Sequence, residues 1–247
     1  MLIWLVLIPL IAAALIGLCK APARPTALLS ASLTLALGIW ALVSFDGCSS
    51  CWSRFEGMDL QLTLAPALSK VMLLLTILVT FATVLGTNPP QGGEASWYNS
   101  ALLISAGATG AFLSDNIISF FAFHELALIP TFVMIGLYGR GDRRTTAWRA
   151  TLYLGLASMV LLAALLMIGT QAGFTFSGLK DFMASGRELA HAELIGALLI
   201  AGFGTLISLF PFHSWAAPAY ASAPAPVAMM HAGVLKKFGL YGLFMFQ

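Results

Sequence analysis

Six ionisable side chains stand inside otherwise apolar stretches of this chain, and they are the residues most able to do chemistry. They are Glu125 and its neighbour His124, His213, His231, and the adjacent pair Lys236 and Lys237. Ionisable groups are costly to bury in a membrane, where they commonly mark proton or ion pathways. At about 1.5 Å per residue, Glu125 lies roughly 13 Å from a helix start near Asn116, close to mid-membrane.

Glu125 is followed five residues later by Pro130, which cannot donate a backbone hydrogen bond and therefore frees the carbonyl of Leu126. This loosened, polar patch at mid-depth favours a role in proton transfer. A structural interpretation stays open, in which a protonated Glu125 makes one interhelical hydrogen bond and His124 provides a second polar contact.

The second unusual stretch, residues 202–226, holds four prolines, two glycines and His213 in apolar surroundings. A regular helix cannot persist through it, and broken helices at membrane depth line cavities and transport sites. A simpler alternative is a bend that ends one helix and begins the next, with Pro224 and Pro226 in the first turn.

Lys236 and Lys237 lie roughly 18–20 Å into a helix counted from Pro224. Adjacent helical residues point about 100° apart, so at most one of the two lysines faces a given polar axis. His231 precedes Lys237 by six residues and is a candidate for the same proton path. Alternatively, Lys236 extends its side chain to the membrane interface.

The composition predicts a polytopic membrane protein. Of the 247 residues, 60% are hydrophobic and 9% charged, with a mean hydropathy of +0.92. The net charge of +2 argues against nucleic-acid binding. Phosphate-binding loops, dinucleotide fingerprints and cysteine sets for clusters are missing from the sequence, so we expect no catalytic residue, metal or cofactor in this chain.

The apolar runs predict an all-α helical bundle with about eight transmembrane helices, the seventh of them broken, in a single membrane domain over residues 1–247. The predicted spans are 1–19, 25–45, 65–86, 97–113, 116–137, 149–170, 193–209 and 225–247. Lysine and arginine are more frequent in the first, third and fifth connections, including a cluster from Arg140 to Arg149. The positive-inside rule therefore places the N-terminus outside.

This orientation places Cys48 and Cys51 on the outer side of the membrane. An oxidising compartment permits a disulfide there, and two free thiols are the equal alternative, because a ring closed by C-x-x-C is often strained.

Several motifs over residues 100–247 resemble the proton-translocating, antiporter-like membrane subunits of respiratory complex I, especially subunit M (chain 4). The matching segments are Glu125–Pro130, Tyr138–Arg140 followed by Arg149–Tyr153, Phe210–Trp215, Ala223–Pro224 and Ala232–Gly242. The first hundred residues match mainly in hydropathy.

The resemblance implies three leading helices (residues 1–96) followed by the first of two inverted five-helix repeats (residues 97–247). It also implies that Glu125 is the glutamate that tunes a lysine and that Lys237 relays protons onward. NADH, FMN, iron–sulfur clusters and quinone would belong to partner subunits. The chain itself would meet other membrane subunits and the lipid bilayer, in the inner (plasma) membrane of the cell.

The chain departs from this pattern at two places and spans one repeat. The position of the central lysine, seven residues before His213, is Leu206, and the family's Leu-Pro-Asp-Ala-His reads Ala216 to Tyr220. From the resemblance as a whole, we expect the chain to be a subunit of a proton-translocating NADH:quinone oxidoreductase, without redox chemistry of its own. The alternatives are a subunit of a multisubunit Na⁺/H⁺ antiporter or membrane-bound hydrogenase, and a non-pumping structural subunit.

Overall fold

The computed structural model describes residues 1–44, 49–55, 58–64, 66–90 and 92–246. Most of these residues are helical. The helices are α1 (Ile3–Gly17), α2 (Ala23–Ser44), α3 (Ala67–Gly86), α4 (Glu94–Leu113), α5 (Ile117–Tyr138), α6 (Arg143–Ala172), α7 (Phe176–Ala184), α8 (Ala192–Ile207), α9 (Ala216–Ser222), α10 (Ala225–Met230) and α11 (Lys236–Met245), with a π-helical turn (His231–Leu235) before α11 and two strands, β1 (Ser49–Phe55) and β2 (Met58–Thr63).

Four of the described helices, α2, α3, α5 and α6, are long and apolar enough to cross a membrane individually, and α1 and α8 are shorter apolar helices. Many large apolar side chains on their outer faces are exposed, such as Leu29, Val43 and Leu156. Such a surface suits lipid or a membrane partner rather than water. The chain is a multi-pass membrane protein with a mostly helical fold.

The expected helical fold is confirmed for most of the described residues, and one connection differs by forming a β-hairpin. β1 and β2 pair antiparallel between α2 and α3, with Ser49 opposite Thr63 and Phe55 opposite Met58. The sequence Met58-Asp-Leu-Gln-Leu-Thr63 alternates apolar and polar residues, which is typical of a strand with one buried face. Leu62 is accordingly buried and bridges to Ser114. The expected state of Cys48 and Cys51 lies outside the described side chains.

A second difference lies between α6 and α8, where the hydropathy pattern predicts only a connection. The short helix α7 forms there because Thr175 caps it by accepting a hydrogen bond from the Gly178 N–H. Phe176 and Leu179, three residues apart on one face, are buried against the bundle. The connection therefore has an amphipathic helix, which a search for long apolar runs does not detect.

Helix α4 forms the centre of the bundle. Almost every residue from Trp97 to Leu113 is buried, and the helix packs against α1, α2, α3 and α5. Its middle is composed of small residues, from Ser105 to Ala111. Because lipid provides little hydrophobic driving force between helices, such close packing of small residues is what holds membrane helices together.

The helical path is interrupted after α8, in the stretch where the sequence predicts a broken seventh helix. Helix α8 ends where Ser208 adopts a left-handed backbone (φ 62°), with the N–H groups of Ser208 and Leu209 bonded to the carbonyls of Thr205 and Gly204. Turns follow to Trp215, and α9 begins at Ala216. Helix α10 begins after Pro224 and has Pro226 in its first turn, as in the simpler interpretation of the later prolines.

The connections alternate between two ends of the bundle. At one end the β-hairpin, the α4–α5 turn and α7 meet, since the Asp115 N–H donates to the Gln61 carbonyl and the Phe176 N–H donates to the Asp115 carbonyl. At the other end the α5–α6 connection pairs with the α9–α10 connection, where Arg140 and Ser222 exchange hydrogen bonds. Long helices thus run from one end to the other.

Replacing Gly107 with alanine should destabilise the bundle. A Cβ atom at this position in α4 would lie 2.6 Å from the Phe123 carbonyl oxygen and 2.7 Å from the Ala127 nitrogen of α5. The two backbones must therefore separate, and overpacking of this kind costs about 1–3 kcal/mol of unfolding free energy.

Thermal unfolding of the chain in lipid nanodiscs measures this effect. The control is Gly196→Ala in α8, where nothing lies within 4 Å of the added Cβ. A melting temperature for Gly107→Ala equal to that of Gly196→Ala would contradict the close packing of α4 on α5.

Candidate functional site

Glu125 lies on α5 and faces α6. Its carboxylate accepts a hydrogen bond from the Ser158 hydroxyl of α6, and its Oε1 lies 3.2 Å from the His124 Nδ1. The His124 contact is close enough for an electrostatic interaction. One interhelical hydrogen bond thus fixes the carboxylate at mid-helix, as polar side chains commonly do between membrane helices.

The side chain of His124, the residue before Glu125, is fully buried in the bundle. Its ring lies 5.2 Å from the Phe238 ring in an edge-to-face arrangement and stacks at 6.4 Å on Phe120. Neither ring nitrogen has a hydrogen-bond partner among the described residues. A buried imidazole without partners is costly, so its proximity to Glu125 is the main polar interaction it retains.

The Glu125 side chain is 30% exposed and opens into a groove on the membrane-facing surface. The groove has a volume of about 390 Å³. Its other lining residues come from α5 and α6 and are almost all apolar: Leu128, Ile129, Phe132, Val133, Thr151 and Gly155. A carboxylate exposed to hydrocarbon is unfavourable, so a partly exposed Glu125 is unusual for a lipid-facing surface.

A second polar cluster lies where α9 meets the π-helical turn. The Lys236 ammonium lies 4.8 Å from the ring centre of Tyr220 and 5.9 Å from that of Trp215. These distances are within the range of cation–π interactions. The Tyr220 hydroxyl is 2.8 Å from the Nδ1 of His231, which is buried.

The π-helical turn gives this cluster its geometry. In an α-helix, residues three and four apart share a face, whereas the wider turn from His231 to Leu235 places residues five apart close together. His231 and Lys236 therefore face the same aromatic side chains. π-helical turns are uncommon and often occur at functional sites.

Lys237 is half-buried and makes no hydrogen bond or ion pair with any residue that the structure describes. The next residue, Phe238, packs against His124 and against Phe112 of α4. The route from Glu125 to the lysine pair is therefore filled by aromatic rings rather than by polar side chains.

Leu206 occupies the position where the resembling subunits have a lysine. Its side chain is buried near the end of α8 and packs against Gly239 of α11. The cation expected beside Glu125 is thus replaced by apolar packing. His124 is the ionisable group that the described structure places against Glu125.

His213 does not join either polar cluster. It is exposed in the turns between α8 and α9, where its ring lies 5.7 Å from the Phe210 ring. Its neighbour Ser214 donates a hydrogen bond of 2.9 Å to the Tyr153 hydroxyl of α6. The six sequence-predicted residues therefore separate into a pair at α5, a cluster of His231 with Lys236, and two remaining side chains.

Sequence reasoning missed Ser158, Trp215 and Tyr220 as parts of these clusters. Ser158 is a lone hydroxyl in an apolar run of α6, a signal of interhelical hydrogen bonding. Tyr220 is noticeable in the sequence only as a departure from a motif, and its contact with His231 depends on the folding of the broken helix. Among the described residues, no group of three His, Cys, Asp or Glu is placed to hold a metal ion.

The sequence of this chain is similar to one protein family and to several known proteins. The family described as NADH:quinone oxidoreductase/Mrp antiporter, transmembrane region, matches residues 114–247. The chain is 34% identical over 182 residues to NAD(P)H-quinone oxidoreductase chain 4 2 of Microcystis aeruginosa, covering 71% of this chain and 32% of that one. A chain 4 1 from a Picosynechococcus species is 32% identical over 198 residues, covering 78% and 36%. The chain thus spans about a third of the length of these relatives.

Solved structures share the whole fold. A chain of respiratory complex I from Thermus thermophilus matches with a TM-score of 0.85 at 25% identity, covering all of this chain and 52% of that one. A chain of the archaeal membrane-bound sulfane sulfur reductase matches with a TM-score of 0.81 at 26% identity, covering 98% and 40%. A chain of the Mrp complex from a Dietzia species has the same fold, with a TM-score of 0.84 at 22% identity and coverage of 99% and 48%.

The family match covers more than half of the chain and includes Glu125, Ser158 and both lysines. The protein belongs to the NADH:quinone oxidoreductase/Mrp antiporter transmembrane family.

Proposed function

We propose that this chain is a membrane subunit of a complex I-type NADH:quinone oxidoreductase and contributes to proton translocation driven by electron transfer to quinone. The observation that carries the proposal is Glu125, which the described structure holds between α5 and α6 within the family-matching segment. The relatives with 32–34% identity are named as chain 4 of NAD(P)H-quinone oxidoreductases, which favours this assembly.

The chain would act as a proton-transfer subunit of an oxidoreductase without redox groups of its own. NADH, FMN, the iron–sulfur clusters and quinone would be bound by partner subunits. Glu125 with His124 would exchange protons near α6, and Lys237 with Lys236 and His231 would do so near α11. His213, which is exposed in the turns before α9, would exchange protons with water or with a partner.

Partner subunits are supported by the groove at Glu125. A carboxylate that is 30% exposed at mid-membrane needs a polar neighbour, because hydrocarbon cannot solvate it. We propose that an adjacent membrane subunit covers this groove and supplies a hydrogen-bond donor or a cation.

The chain would form one membrane domain with eight crossings: three leading helices in residues 1–96 and a five-helix repeat in residues 97–247. In this arrangement α8 with α9 is one broken crossing, and α10, the π-helical turn and α11 are another. The arginine-containing α5–α6 connection would face the cytoplasm and the N-terminus would lie outside the inner membrane. The alternation of the connections between two ends of the bundle supports this topology.

A non-pumping structural role is the alternative that a specific observation favours. Leu206 is buried against Gly239, so α8 provides no lysine to pair with Glu125. In that case the six ionisable residues would be inherited from a proton-translocating ancestor and would not transfer protons in this chain. An antiporter or hydrogenase subunit is the further alternative within the family, and ion-dependence experiments distinguish it.

Substituting Glu125→Gln or Lys237→Met should lower the number of protons translocated per NADH oxidised in the assembled complex. Both changes remove a proton-binding group and keep the size of the side chain, and removal of a buried proton carrier commonly reduces transfer by about 10²-fold or more. Proton uptake into inverted membrane vesicles, measured together with NADH oxidation, gives the ratio.

Lys180→Met and Glu188→Gln, which alter exposed residues in and after α7, serve as matched controls and should keep the wild-type ratio. An unchanged ratio in both Glu125→Gln and Lys237→Met would support the structural alternative. Sodium-stimulated transport that continues without NADH oxidation would support the antiporter alternative.

The proposed orientation predicts that Cys19 is protected from reagents outside the cell. Cys19 is a free, exposed thiol just after α1, beside Lys20. With the N-terminus outside, one crossing places this thiol on the cytoplasmic side. In a background with Cys48 and Cys51 replaced by serine, a membrane-impermeant maleimide should label Cys19 in inverted vesicles and not in intact cells. Labelling of Cys19 in intact cells would contradict this orientation and place the N-terminus on the cytoplasmic side.

A further inference from the structure

A partly buried polar cluster lies apart from Glu125, where the broken helix meets the π-helical turn. Its members are Tyr220 of α9, His231 in the turn and Lys236 at the start of α11, with Trp215 beside them. Tyr220 stands where the resembling subunits have a histidine, and Lys236 precedes the lysine that matches their motif.

His231 is 5% exposed, and each of its ring nitrogens has a distinct environment. Nδ1 pairs with the Tyr220 hydroxyl at 2.8 Å, whereas Nε2 has no partner among the described residues. A neutral imidazole has one nitrogen lone pair that can accept a proton. Since the Tyr220 oxygen is also able to accept a hydrogen bond, it can stabilise His231 when both ring nitrogens carry hydrogen.

Lys236 is a cation that acts electrostatically on this imidazole. Its ammonium lies over the faces of Tyr220 and Trp215, whose π-electrons stabilise one positive charge in apolar surroundings. The other side chains that line the small space beside His231 and Tyr220 are apolar, among them Ile135 of α5, Ala219 of α9 and Val227 of α10. Lys237, the next residue, is the other cation that acts on Lys236.

Two positive charges in such a cluster repel each other, because the buried His231 side chain has little room for water that would screen them. A free volume of about 10 Å³ beside His231 and Tyr220 has room for about one water molecule, too little to hydrate a second charge. The cluster therefore has the binding groups for a proton and the electrostatics to hold only one positive charge.

We propose that Tyr220, His231 and Lys236 form a site for one exchangeable proton, which resides on either His231 or Lys236. When an N–H bond forms on the imidazole, an N–H bond of the Lys236 ammonium breaks, and its electron pair stays on Nζ, so the cluster keeps one positive charge. Tyr220 is a positioning residue, since its hydroxyl orients His231 and its ring holds the ammonium. A role of this site in transport rests on the proposed function.

The test is a titration of His231 in the full chain, labelled with ¹⁵N-histidine and reconstituted in lipid bilayers. Signals of His231 are identified by their loss in His231→Gln. In Lys236→Met the ring should become half-protonated at a proton concentration about tenfold lower than in the wild type, because the competing charge is removed. An unchanged titration would overturn the proposal.

Lys237→Met is the matched control, because it removes the same charge from the adjacent residue, which points to a different face. Its effect should be less than about threefold. Equal effects of the two lysine substitutions would overturn the shared site in favour of a general electrostatic effect.

Tyr220→Phe tests the positioning role. It keeps the ring under Lys236 and removes the hydroxyl, so the Nδ1 chemical shift should change while the competition with Lys236 persists. An unchanged Nδ1 shift would contradict that role. These titrations need no electron transfer. Their outcome is therefore independent of whether Glu125→Gln lowers proton translocation, and failure of this proposal can be distinguished from failure of the proposed function.

Discussion

Lipid offers a polypeptide no hydrogen-bond partners, and the structure depends on this constraint throughout. Backbone donors and acceptors are satisfied within helices, and the helices associate through close packing rather than through a hydrophobic effect. Helix α4 shows the result, because its small residues from Ser105 to Ala111 allow α5 to approach until no Cβ fits at Gly107. The position of Glu125 against α6 follows from this packing.

The same constraint explains why the polar side chains gather in two places. Glu125 is held by Ser158 and lies beside His124, while Lys236 lies over aromatic rings near His231. Both clusters occur beside irregular features, namely Pro130 inside α5 and the break followed by the π-helical turn. Such features free backbone groups or change which side chains share a face, so they favour polar neighbours.

Between the two clusters the bundle is aromatic. His124 packs on Phe238, and Phe238 packs on Phe112, with Tyr241 adjacent to both Phe112 and Phe120. Tyr241 itself pairs with Ser69 of α3 through a hydroxyl contact of 3.0 Å. Together with the buried Leu206, these rings separate Glu125 from the lysines by apolar volume. A proton that passed between the clusters would need water or side-chain movement in this layer.

The sequence alone determined that the chain crosses membranes, where its long apolar helices lie, that the helix before Trp215 is broken, and which family its motifs resemble. Hydropathy and the backbone restrictions of proline act over a few neighbouring residues, so the order of residues in the sequence is enough to predict their effects. The β-hairpin and α7 were not predicted, because they are short amphipathic elements between long apolar runs. Only the tertiary structure decided that Ser158 contacts Glu125 and that Tyr220 contacts His231, and that His213 belongs to neither cluster. The two contacts join residues that are 33 and 11 positions apart, so they depend on how whole helices pack.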